Sequence, residues 1–237
     1  REVNEGSNYL NNWVYQETKD LLERDKLVGL VGGDHSTALG FLKALAEKHG
    51  TFGVLQIDAH CDLRESYEGF IYSHASIMYN ALKEITALTK LVQIGIRDFS
   101  QGEYEFIQRN KKRIKTFFDK DIRVRLYEGD SFKKITDEII KQLPDKVYIS
   151  FDIDGLDPKL CPNTGTPVQG GFETEQVFYI FNKIIKAGKT LIGFDLSEVS
   201  VSENCWDANV AARILFKLCN LLVTNKAVQH VQNPSEN

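Results

Sequence analysis

No apolar run in this 237-residue chain approaches the roughly 18 residues needed to cross a bilayer, so a membrane-spanning helix is not expected. The opening stretch, REVNEGSNYL, lacks the charged-then-apolar layout of a secretory leader; it starts at Arg1 rather than Met, and an N-terminal portion is expected to be missing. Cysteine is sparse: Cys61, Cys161, Cys205 and Cys219 form no CxxC pair, which argues against a zinc knuckle and a dithiol redox motif and makes a reducing cytoplasm the simplest compartment. There is no excess of positive charge. A net charge of -4 argues against nucleic acid as a partner, and the one basic cluster, Arg109 to Arg113, reads as the solvated end of a helix. No GxGxxG or GxxxxGK follows any apolar run, so nucleotide cradling is unsupported. Repeats and low-complexity linkers are also lacking.

What is present is ordinary globular material. Hydrophobic residues at 42% and charged residues at 26% suit a soluble protein with a sizeable core, expected as one domain over 1–237 with a polar, loosely held tail over 225–237. His230 in that tail reads as incidental. A helix over residues 8–24 leads into a candidate strand, KLVGLV, which breaks at Gly32-Gly33-Asp34-His35 before a helix with Ser36 at its N-cap position. The cycle repeats. FGVLQI is a strand, a long loop runs from Asp58 to Ser76, and IMYNALKEI is a helix; a loop of that length is usually functional. LVQIGI, from Leu91 to Ile96, gives the next strand, followed by Arg97-Asp98 and a helix around Gly102 to Arg109, whose role reads as architectural. A short strand near Ile114 to Phe118, a helix over Ser131 to Leu143, the strand KVYISF, a helix over Thr174 to Ala187, a strand from Thr190 to Phe194 and a helix over Asp207 to Leu222 complete the series. Strands of about six residues alternating with longer helices predict an α/β chain with a parallel sheet covered on both faces.

Four of these strands end in metal-type ligands. LQIDAHCDLR places Asp58, His60 and Asp62 at spacing two, so an extended backbone would turn them to one point while Ala59 and Cys61 face away. His35 follows the first strand, Asp152 and Asp154 follow KVYISF, and Glu198 follows the last strand. In open α/β sheets ligands bind outside the carboxyl ends of the strands, where all of these fall. Two carboxylates and an imidazole in one run suit manganese or a similar divalent ion. Four aspartates and two histidines exceed what one ion asks of a protein but fit two ions sharing bridging carboxylates. Two such ions sharing a solvent molecule generate hydroxide at neutral pH, which makes hydrolysis the natural reaction class. Glu198 is a carboxylate beyond these six, and a carboxylate accepts paired hydrogen bonds from a planar guanidinium, which points to a cationic substrate. His74, on the long loop, is placed to shuttle protons.

The ordered set GGDHS, DAHCDLR, YSHAS, SFDIDGLDP, GTPVQGG and DLSEVS, running from about residue 26 to 224, resembles the ureohydrolase family, which includes arginase and agmatinase. The resemblance implies a three-layer α/β/α, arginase-like fold with a parallel sheet of about eight strands, two Mn2+ ions per chain, and hydrolysis of a guanidino group to an amine and urea. By position, one ion would take His35, Asp58, Asp62 and Asp152, and the other Asp58, His60, Asp152 and Asp154, with Asp58 and Asp152 bridging. The likeness further implies attack by a metal-bridging hydroxide, proton transfer by Asp62, a guanidinium grip by Glu198, proton relay by His74, and a trimer or hexamer. DLR and YSHA look like agmatinases more than arginases, so agmatine is the expected substrate. His74 followed by Ala75-Ser76 in place of the commoner His-Gly, and SEVSVSENCWD in place of a proline-containing continuation, leave arginine, guanidinobutyrate and formiminoglutamate as alternatives. A single-zinc deacetylase on the same scaffold is opposed by the intact set of aspartates. The non-enzymatic rival is a catalytically silent, metal-stabilised binding protein.

Four neighbouring carboxylates repel one another unless divalent ions cancel their charge. Stripping the protein with a chelator is therefore expected to lower its melting temperature, and restoring Mn2+ to raise it again; a transition indifferent to both would contradict the metal assignment.

Overall fold

Residues 2–232 are described in the computed structural model. The apolar runs become six strands: β1 (Gly29–Val31), β2 (Phe52–Ile57), β3 (Leu88–Ile96), β4 (Ile114–Phe118), β5 (Lys146–Asp152) and β6 (Thr190–Ser197). Every pairing is parallel, in the order β1-β6-β5-β2-β3-β4. All six residues of β2 are buried, as expected for a strand covered on both faces.

Eight α-helices supply the cover: α1 (Glu2–Glu23), α2 (Ala38–His49), α3 (Ile77–Glu84), α4 (Gln101–Arg109), α5 (Asp119–Tyr127), α6 (Phe132–Gln142), α7 (Thr174–Lys186) and α8 (Trp206–Gln232). One apolar core collects Val14, Leu42, Met78 and Ile107 from α1 to α4 against one face of the sheet. The other collects Ile122, Ile139, Ile180 and Ile214 from α5 to α8 against the opposite face. The result is the three-layer α/β/α arrangement. Ser100 and Glu103 form a reciprocal capping box at α4, and the Ser131 hydroxyl accepts from Lys134 N at α6, but Ser36 does not cap α2: it lies in a 3-10 turn capped by Asp34, and Thr37 precedes the helix without a side-chain cap bond.

Two further expectations are corrected and one helix is new. The sheet among the described residues has six strands rather than about eight. Six apolar runs are all that the sequence presents, and the larger number came only from family likeness. The stretch 225–237 is not a loose tail throughout, because α8 continues to Gln232; residues 233–237 and the His230 side chain lie outside what is described. Buried Asn225 explains the continuation: its Oδ1 accepts from Leu191 N at 2.8 Å and its Nδ2 donates to Lys189 O at 2.7 Å, fastening the helix to the start of β6. Helix α5 was not anticipated, since Ile122 is its sole buried apolar residue and no period is visible in DKDIRVRLY. No helix among the described residues is long and apolar enough to cross a membrane.

The strand order makes β1, β6, β5 and β2 consecutive neighbours, and these are the four whose ends carry the candidate ligands. The loop after β5 presses directly on the end of β2. A methyl group added at Gly155 would lie 2.7 Å from Asp58 N and 2.9 Å from Ile57 C, both backbone atoms that cannot swing aside. Gly155→Ala is expected to cost about 1–3 kcal/mol through overpacking, seen as a lower melting temperature of the metal-free protein. An unchanged transition would contradict this packing.

Candidate metal centre

β2 stops at Ile57, so Asp58, His60 and Asp62 do not lie on a continuing strand as their spacing suggested. The backbone turns instead, with Asp62 in the left-handed region at φ 54°. The turn is held from below: Asp58 Oδ1 accepts from His60 N at 2.6 Å, and buried Glu103 accepts from Leu63 N at 3.1 Å. Convergence is achieved all the same, while buried Ala59 and Cys61 face away, Cys61 lying in the core beneath α2 and α3. His35 enters from a 3-10 turn that joins β1 to α2, with the Asp34 side chain accepting from Ser36 N. Asp152 is the last residue of β5, and its Oδ1 accepts from Asp154 N at 2.9 Å.

Two triplets of potential ligand atoms result, His35 with Asp58 and Asp62, and Asp58 with His60 and Asp154; atoms within each triplet lie within 4.8 Å of one another. Asp58 belongs to both. Its Oδ2 lies 3.2 Å from His35 Nδ1, whereas its Oδ1 lies 3.6 Å from His60 Nδ1. His35 Nδ1 is also 2.9 Å from Asp62 Oδ2 and 3.4 Å from Asp152 Oδ2, and His60 Nδ1 is 3.0 Å from Asp154 Oδ2. Despite this crowd of oxygens, buried His35 Nδ1 makes no properly directed hydrogen bond. A ring nitrogen aimed among three carboxylates with no proton partner is what a metal ligand looks like, and the hard donor set of four aspartates and two histidines fits divalent manganese.

The charges cannot all be accommodated by protein alone. Burial drives Asp62 up to about 7, with Asp58 adding to the rise and His35 opposing it. Burial also raises Asp152 well above the carboxylate range, reinforced by Asp154 and Asp58. Burial acts against the charged form of His60, yet Asp154 and Asp58 outweigh it and push the imidazole up to about 11. His35 is likewise raised, burial being outweighed by Asp152, Asp58 and Asp62. Asp58 goes the other way, because the two histidines overcome its burial. Left to itself the cluster balances charge by borrowing protons, and cations would supply that balance while freeing both imidazoles to ligate.

Several supporting residues escaped the sequence reading. The hydroxyl of Ser150 lies 2.7 Å from His35 Nε2; beyond it, buried Asp195 lies 3.6 Å from the same nitrogen and accepts from Tyr148 OH at 2.5 Å. Such outer partners fix the ring and tautomer of a ligating histidine. Arg97 is architectural as expected, its guanidinium donating to carbonyls of Gly95, Asp154, Leu156, Val168 and Gln169 and so tying the ligand loop after β5 to the GTPVQGG loop. Asp98 is more than architectural: it lies 3.9 Å from His60 Nε2 at the rim of the site. The signal for Ser150 was a polar residue inside an apolar strand; Asp195 fell one residue past the expected end of its strand, which in fact runs on to Ser197.

Glu198 and His74 are placed differently. Glu198 sits just past β6 at φ 62°, and its Oε1 accepts from His35 N at 2.9 Å, which anchors one carboxylate oxygen beside the ligands. His74 opens a 3-10 turn capped by Ser73 and packs edge-on against Tyr67 at 5.7 Å. Together with His60, Asp62, Asp98 and Thr166 it lines a cavity of about 130 Å³ at the mouth of the cluster. A larger hollow of about 550 Å³ lies on the far side of Arg64 and Glu103 and contains none of the candidate ligands.

A model of the Arginase family matches residues 3–220, and the chain belongs to that family. Among its curated relatives is an N(1)-aminopropylagmatine ureohydrolase of Thermus thermophilus, 34% identical over 88% of this chain and 67% of that protein. A guanidinobutyrase of Pseudomonas aeruginosa is 35% identical over 79% of this chain and 57% of its own length, so the chain spans little more than half of that relative. The crystal structure of agmatine ureohydrolase from Thermoplasma volcanium superposes with a TM-score of 0.77 at 26% identity, covering 94% of this chain and 71% of that one.

Burial holds the Cys61 thiol well above its ordinary range and pushes Cys161 up to about 12. Only exposed Cys205 and Cys219 are therefore expected to react with a thiol reagent in the native protein. Rapid labelling of Cys61 would show that it faces the site and not the core.

Proposed function

We propose that the protein is a metal-dependent amidino hydrolase that converts agmatine to putrescine and urea, using two manganese ions. The observation that carries this reading is the sharing of Asp58 between two histidine-containing triplets, one oxygen turned to each histidine. His35, Asp58, Asp62 and Asp152 would hold one ion, and Asp58, His60, Asp152 and Asp154 the other. Bound there, the ions would supply Lewis acidity and an activated water.

The chain's own residues account for the remainder. Glu198, with one oxygen held by His35 N, is set to receive the guanidinium and orient its central carbon toward the aspartates. The bond from that carbon to the alkyl-bearing nitrogen breaks, water supplies the oxygen of urea, and a proton must reach the departing amine. Asp62 is placed to carry it, since its carboxylate lies 2.9 Å from His35 Nδ1 among the ligands and also lines the cavity at the mouth. His74, beside Asp62 in the cavity lining, exchanges protons between the site and solvent.

A cationic tail fits the mouth. Asp98 is 67% exposed on its side chain there, whereas the Arg64 charge is met by Glu103 at 3.7 Å and lies over the Tyr67 ring at 5.2 Å. The Thermus and Thermoplasma relatives, named for agmatine-type substrates, point the same way. The guanidinobutyrase likeness and the same Arg64 favour the second reading, a substrate ending in a carboxylate. A cytoplasmic, trimeric or hexameric enzyme completes the proposal on family likeness, and sedimentation of the purified chain measures the oligomer.

Urea release from the manganese-loaded protein, compared across agmatine, arginine and 4-guanidinobutyrate, tests this. Agmatine is expected to give the highest kcat/KM, and Asp154→Asn to lose more than the ~10–100-fold typical of supporting residues. Absence of turnover on every guanidino compound would refute the enzyme; preference for guanidinobutyrate would transfer the assignment to the second reading.

A further inference from the structure

A row of polar side chains crosses the buried middle of the sheet at one register. Asp195 on β6 pairs with Ser150 on β5, Ser150 with Gln56 on β2, Gln56 with Gln93 on β3, and Gln93 with Thr116 on β4. Gln56, Gln93 and Ser150 are fully buried. Register partners in a parallel sheet point to the same face, so their side chains meet in sequence. The half of the row running toward β4 has no part in the reaction derived above, yet it places two glutamines in an interior that prefers Val and Ile.

The three residues form one directed chain. Thr116 Oγ1 donates to Gln93 Oε1 at 2.7 Å, Gln93 Nε2 donates to Gln56 Oε1 at 2.7 Å, and Gln56 Nε2 donates to Asp58 Oδ2 at 2.7 Å. Its direction is forced. Gln93 Nε2 also lies 2.8 Å from Cys61 O, and Gln56 Nε2 lies 3.3 Å from His60 O. A backbone carbonyl only accepts, so both amides must turn their NH2 groups toward the ligand turn and their oxygens toward β4. A flip of either amide would set oxygen against oxygen.

We propose that Gln93 and Thr116 are positioning residues for the metal centre, acting through Gln56 to fix the rotation of the Asp58 carboxylate and the path of the turn from His60 to Cys61. The inference rests on the metal-centre reading. Asp58 is the carboxylate common to both ligand triplets, and its rotation sets which oxygen faces which histidine. Gln56 holds Oδ2 and His60 N holds Oδ1, so each oxygen keeps its remaining lone pair for the centre. From the neighbouring strand Gln93 reaches both Gln56, near the end of β2, and Cys61 O in the turn that follows. Supporting partners of this kind typically alter metal affinity by ~10–100-fold, although they touch no metal.

The test is Mn2+ binding to the metal-stripped 237-residue chain, read by calorimetric titration, with melting of the metal-free forms in parallel. Gln93→Met, which keeps the length and loses donor and acceptor, is expected to weaken binding ~10-fold, and Gln56→Leu by ~10-fold or more. Once Gln56 is gone Gln93 keeps only its bond to Cys61 O, so the loss in the double variant should be clearly smaller than the sum of the two single losses. That non-additivity separates positioning from general loss of stability, which would add. Folded Gln93→Met with wild-type affinity, or fully additive losses in the double variant, would overturn the proposal. Should Gln93→Met fail to fold, Thr116→Val decides: weakening by about threefold supports the chain, since cooperative hydrogen bonds transmit the loss of an end member, and unchanged binding refutes it. A wild-type chain that takes up no manganese would instead sink the metal reading from which this inference starts.

Discussion

Repulsion among buried carboxylates is the constraint around which this molecule is arranged. Asp58, Asp62, Asp152 and Asp154 are all at most 4% exposed and meet at one edge of the sheet. Two like charges 4 Å apart repel by about 4 kcal/mol at the effective dielectric typical of proteins. No single neighbour offsets that. The two histidines offset part of it, burial and mutual repulsion push Asp62 and Asp152 toward their neutral forms, and divalent cations would remove it. A parallel sheet is what brings the groups together at all, since every strand then ends on the same edge and four adjacent strands deliver their ligands side by side.

Holding such a cluster requires rigid surroundings, and the chain spends unusual conformations and buried polar groups on them. Asp62 and Glu198 adopt left-handed backbone angles that are disfavoured for non-glycine residues, at a cost of about 1–3 kcal/mol each. Both carry side chains that must face the cluster. Buried Glu103 holds the turn after β2, Arg97 threads five carbonyls behind Asp154, and Ser150 with Asp195 steadies His35. The strain at the two site residues persists because these contacts leave their backbones no alternative.

Much of this was legible beforehand, and the limits have physical causes. Apolar runs ending in Asp or His gave four strand ends and all six candidate ligands, since a buried run that stops abruptly in charge is rare without a site. Their convergence came through a turn and not an extended strand, because spacing alone does not reveal where pairing stops. The six strands were visible as six runs; the figure of eight was borrowed from likeness. Gln56, Gln93 and Ser150 were visible only as exceptions within apolar strands and Asp195 fell just past the expected end of one, and without register nothing said that they were neighbours. Helix α5 left no trace because one apolar residue makes no period.

The placement of β1 has a consequence for biosynthesis. This three-residue strand pairs only with β6, so the two are joined across more than half of the chain, and His35 is anchored through its backbone to Glu198 just beyond β6. Translation delivers the chain N-terminus first. His35, Asp58, His60 and Asp62 therefore leave the ribosome long before Asp152, Asp154 and the strand that seats β1. A nascent chain carries an incomplete set of candidate ligands until Asp154 is made, and even then β1 has no strand to pair with and His35 N no Glu198 to bind until β6 follows in the last third, so the cluster is assembled late and not strand by strand.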